Sequence, residues 1–132
     1  MKTNKVLIPV SIGELLDKIS ILQIKVENIK DGHKLRLVKQ ELEILKIELN
    51  KLNIENKKII NNLCNELIAV NKDLWSIEDR IRIKEKESKF DDDFLKLARS
   101  IYINNDKRYS IKNEINKAVN SSIFEVKEYE KY

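Results

Sequence analysis

Apolar residues recur along most of this chain at three- and four-residue steps, the period of an α-helix rather than a strand. Ile12, Leu15, Ile19, Leu22, Val26 and Ile29 form one such seam. Leu35, Val38, Leu42, Leu45, Leu49 and Leu52 form a second. Ile59, Leu63, Leu67, Val70, Leu74, Ile77 and Ile81 form a third, with one skip that shifts its phase. The fourth runs Phe94, Leu97, Ile101, Ile115, Val119, and its middle is polar: Asn105, Arg108 and Lys112. Ile21 and Ile24 lie on another side of the first helix, and a helix apolar on more than one face is either central or covered by a second molecule.

Local signals bound these helices. Ser11 with Glu14 three residues on is a capping-box pattern that opens the first. Asp31-Gly32 ends it, with Gly32 expected as the C-cap. The Asn-rich stretch 50–57 reads as a turn between two antiparallel helices. The alternative is one continuous helix of about 50 residues, ~75 Å long, which would bury less of both stripes. After the polar run 84–89, Asp91 is a good N-cap, and Asp92 and Asp93 favour the positive end of a helix running to about Val119. Val6–Val10 contains Pro9 and reads as extended, with Ser122–Tyr132 as its expected short strand partner. The expected fold is all-α: an antiparallel bundle of about four helices with coiled-coil-like hairpins, minor β pairing of the termini, and one domain over residues 1–132.

Composition narrows the chemistry. Two Gly and one Pro among 132 residues suit a helical chain. The net charge of +4 is spread over interleaved signs, so neither nucleic acid nor a membrane surface is an expected partner. No apolar run reaches the roughly 20 residues of a membrane span. The opening stretch 1–11 is too short, and too soon broken by Pro9, for a signal peptide, so a cytoplasmic location is expected. The lone Cys64 excludes an internal disulfide framework and reads as core filler. No metal spacing, phosphate-cradling Gly loop or nucleophile elbow is present, so no metal, cofactor or catalytic residue is assigned.

Only five residues are Arg against 21 Lys, which makes each Arg informative, because Lys cannot replace a bidentate fork. In Asn71–Arg82, the residues Asn71, Trp75, Glu78 and Arg82 line up along the edge of the third seam. With helices three and four folded as a hairpin turning near residue 89, Asn71 comes level with Arg108, and Glu78 is a further candidate partner for that Arg. The expected layer is therefore Asn71, Trp75, Glu78, Asp79, Arg82, Asn105 and Arg108. It supports two readings: a buried set of ion pairs and amides that fixes helix register, or a binding site for an anion. Glu14-x-x-Asp17 resembles one acidic pair of the all-helical nucleotide pyrophosphohydrolases, but the second pair they require is missing.

The segments IPVSIGELLDKISILQIK, VNKDLWSIEDRIR, FDDDFLKLARSIYINNDKR and IKNEIN resemble a family of small uncharacterised bacterial proteins, over most of the chain except about 43–60. The positions that carry the resemblance are Gly13, Glu14, Asp17, Lys18, Lys25, Asn71, Trp75, Glu78, Asp79, Arg82, Arg99, Asn105, Asp106 and Arg108. Ser76 departs from the acidic residue expected there. The resemblance brings no activity, fold or cofactor, only a link to surface-polysaccharide metabolism. The expectation is a non-catalytic interaction or assembly module, a homodimer open to a protein partner. The alternative is a small all-helical enzyme or binder for an anionic metabolite such as a nucleotide, sugar nucleotide or phosphate.

Overall fold

The computed structural model describes residues 4–132; residues 1–3, part of the stretch read against a signal peptide, lie outside the described residues. The chain is all-α, with four packed helices: α1 (Ile12–Asn28), α2 (Gly32–Asn50), α3 (Lys57–Lys86) and α4 (Asp92–Ala118). α3 and α4 pair most extensively, and α1 lies against α2, α3 and α4 alike. That central position accounts for the apolar residues on more than one side of α1 without a second molecule.

Side chains start the helices as their sequence suggests. Ser11 Oγ accepts the Glu14 N–H at 3.1 Å, and Asp91 Oδ1 accepts the Phe94 N–H at 3.0 Å. Asp91 also takes Lys84 at 2.8 Å, and that lysine, ahead of the Phe94 N–H, holds its carboxyl below the usual range. The break between α2 and α3 falls at 51–56, where Asn56 adopts a left-handed backbone (φ 58°) that a short polar side chain tolerates.

Two expectations on the backbone fail. Gly32 does not cap α1; Ile29 does, and Gly32 is the first residue of α2, behind the N-cap Asp31, whose Oδ1 accepts the Lys34 N–H at 2.9 Å. Gly32 has no positive φ, so nothing here calls on glycine's conformational freedom. The termini form no strand among the described residues. Val6–Val10 is exposed and outside any regular element, while the segment after α4 turns back along that helix. Its backbone is engaged by side chains instead, with Asn113 Nδ2 donating to the Glu125 carbonyl at 2.9 Å.

Apolar burial holds the helices together in two clusters. Leu16, Ile60, Leu63, Leu67 and Ile115 form one; Leu15, Ile19, Leu22 and Leu42 form the other, beneath α2. Leu67 and Ile115 are completely buried, each contributing about 1.5–3 kcal/mol by burial, which exceeds the net worth of a typical hydrogen bond. At the start of α3 the core residue is Ile60, not the expected Ile59, which is exposed. Asn71 occupies the α3 seam itself rather than its edge.

Candidate functional site

On α1, Gly13, Asp17, Ser20 and Ile24 repeat at 4-3-4 spacing and so form one buried stripe, of which the first three members are small or polar. Asp17, 0 % exposed, is the hub. Arg108 grips it with both ends of its fork, Nε to Oδ1 at 2.9 Å and NH2 to Oδ2 at 2.5 Å. Asn71 Nδ2 donates to Asp17 Oδ1 at 2.9 Å and to Ser20 Oγ at 2.7 Å. The Asp17 carboxylate thus joins α1, α3 and α4 at one point and raises the pKa of Arg108 above its ordinary value.

One turn further along α4, Lys112 is buried. Its Nζ lies 2.7 Å from Glu14 Oε2, 2.7 Å from Glu125 Oε2 and 3.9 Å from Asp17 Oδ2. The buried Glu125 oxygen meets the ammonium off the hydrogen-bond direction. Burial alone would lower the Lys112 pKa, but the adjoining Glu125 and Glu14 carboxylates outweigh it, and the pKa is raised. Glu125 belongs to the segment after α4, which is held further along by Lys127 to Asp106 (3.6 Å) and by Tyr132 Oη to Asp106 Oδ2 (2.5 Å).

A turn beyond Lys112, α1 and α4 come into backbone contact. Asn116 Oδ1 accepts the Gly13 N–H at 2.8 Å, and a Cβ at position 13 would lie 2.4 Å from the Lys112 carbonyl oxygen. Gly13 is therefore set by close approach of two helices rather than by an unusual backbone angle.

The seven residues expected to form a polar layer, Asn71, Trp75, Glu78, Asp79, Arg82, Asn105 and Arg108, all line one open groove of about 480 Å³, with Ile21 and Leu74. They do not bond as expected. Asn71 and Arg108 meet through Asp17, whereas Glu78 turns away from Arg108 and pairs with Arg82 one helical turn on. That pair is exposed, with the Arg82 side chain 71 % accessible, so it lies at the surface and not in a buried layer. Asp17, Glu14, Ser20, Lys112, Asn116 and Glu125 were not placed in the layer. A search for apolar periodicity passes over the polar steps of α1, whereas Lys112 stands in the polar middle of the fourth seam, and that signal alone could have brought it into the layer.

The fold and the cluster define a four-helix protein with buried polar contacts spanning three of its helices. The chain belongs to the family of unknown function DUF6165, whose model matches residues 5–132. No curated protein and no solved structure matches it.

Proposed function

We propose that this protein is a non-catalytic assembly module, a helical platform whose internal ion pairs select one packing of α1, α3 and α4 and whose surface meets a protein partner. One observation carries this reading. Each charge of the network meets an opposite charge inside the chain, and its carboxylates (Glu14, Asp17, Glu125) outnumber its cations (Arg108, Lys112) three to two. A cradle for an anion needs the opposite balance, with cationic ends aimed into open space.

The groove supports a second reading, a binding site for an anionic metabolite or a small helical enzyme acting on one, because it brings Trp75 and the exposed Arg82 together with Asn105. Glu78 and Asp79 on the same wall weigh against an anion. A thermal-shift screen with nucleotides, sugar nucleotides and inorganic phosphate separates the two. A ligand at a hundred times its Kd adds about 2.7 kcal/mol, which is readily seen. The expected outcome is no concentration-dependent rise in Tm. A rise that disappears in Arg82→Gln replaces the module with the binder.

A further inference from the structure

α2 has two apolar faces. Val38, Leu42, Leu45 and Leu49 face α1, the one helix packed along it. Leu37, Ile44 and Ile47 lie on the opposite side, in a 3-4 line completed by Gln40 and Lys51, and are 51 %, 45 % and 49 % exposed. The charges on α2 are also segregated. Residues 32–40 carry Lys34, Arg36 and Lys39 and no acid; residues 41–50 carry Glu41, Glu43 and Glu48 against Lys46. This order opposes the helix's own dipole, with no acid in the first turn and no base in the last. Among the described residues, Lys34, Arg36, Lys39, Glu41 and Glu43 have no ion-pair partner.

We infer that the outer face of α2 docks on the same face of a second copy of this chain, the two α2 helices running antiparallel about a two-fold axis level with Leu42. An antiparallel neighbour sets each basic half beside an acidic half, at both ends at once, whereas a parallel one sets like beside like. The same register brings Leu37 level with the partner's Ile47, Gln40 level with the partner's Ile44, and Lys34 near the partner's Glu48, the alternation of an antiparallel two-helix seam. The inference rests on the assembly-module reading and names its partner.

Light scattering during size-exclusion chromatography tests it. The expected mass at high micromolar concentration is twice 15.6 kDa for the wild type. The Ile44→Lys/Ile47→Lys variant is expected to run as a monomer with unchanged far-UV circular dichroism, since both side chains point away from α1. Orientation is read on a Cys64→Ser background with a short bismaleimide. Glu41→Cys lies close to the axis and cross-links to its own copy. Two Lys34→Cys sites stand roughly 24 Å apart at 1.5 Å rise per residue and do not. A monomeric wild type, a dimer that survives the Ile44/Ile47 change, or Lys34→Cys cross-linking each overturns the pairing. A monomeric wild type leaves the module reading in place with another partner, whereas ligand stabilisation in the thermal screen defeats the module reading and leaves the pairing untouched.

Discussion

Asp17 is a single carboxylate without access to water, and its neighbours exist to make that tolerable. A buried charge that loses its partner costs about 3–5 kcal/mol, while an intact buried pair is often no better than an apolar pair of the same volume. Arg108→Met alone is therefore expected to destabilise the protein by about 3 kcal/mol, the low end, because the Arg108 side chain is still 28 % exposed. Asp17→Leu/Arg108→Met is expected to recover most of that loss, since Asn71 keeps Ser20 and Lys112 keeps Glu14 and Glu125. Urea denaturation of both variants measures this. A double variant as unstable as the single would show that the pair contributes net stability and does not merely select the packing. Sequence reading placed Asn71 and Arg108 in one layer but missed the acid between them. Asp17 sits one residue from the core residue Leu16, and a periodicity that scores only apolar side chains treats it as surface.

Among the elements, the pairing of α1 with α4 is the most exacting, because Gly13 lets the two helices touch where no side chain fits. Gly13→Ala is expected to cost about 1–3 kcal/mol, the range for overpacking. Alanine's better helix propensity, up to about 1 kcal/mol in a helix interior, offsets part of that. The clash is with backbone, the Lys112 carbonyl, so a side-chain rotation does not relieve it. Denaturant unfolding checks the magnitude; a neutral or stabilising change would mean that the helices separate freely. Helix positions, the Ser11 and Asp91 caps and the break at 51–56 were legible because each rests on local chemistry. Gly32 was misread because glycine marks both ends of helices, and Asp31 before it, the real signal, caps the following helix. The expected terminal strands were illegible for a different reason. The C-terminal segment is recruited by Asn113, Lys112 and Asp106 on α4, contacts that no strand pattern encodes.

For the molecule as a whole, Lys112 links stability to alkaline pH. Its folded pKa is raised above the ordinary 10.5, so its contribution is complete below that value and is lost as pH rises through the folded one. Wild-type Tm is expected to fall more steeply above about pH 10.5 than that of Lys112→Met, which has no ammonium to titrate. Parallel curves for the two proteins, followed by circular dichroism, would show that the lysine is not linked to folding. No helix among the described residues is long and apolar enough to cross a membrane. The wide sequence separation of the ion pairs, 91 residues between Asp17 and Arg108, also bears on synthesis. A ribosome that has released α1, α2 and α3 has produced an acid with an amide and a hydroxyl beside it but no counterion. The nascent bundle is therefore expected to stay loose until α4 emerges, and chains truncated before Arg108 to be open to chaperones and proteases.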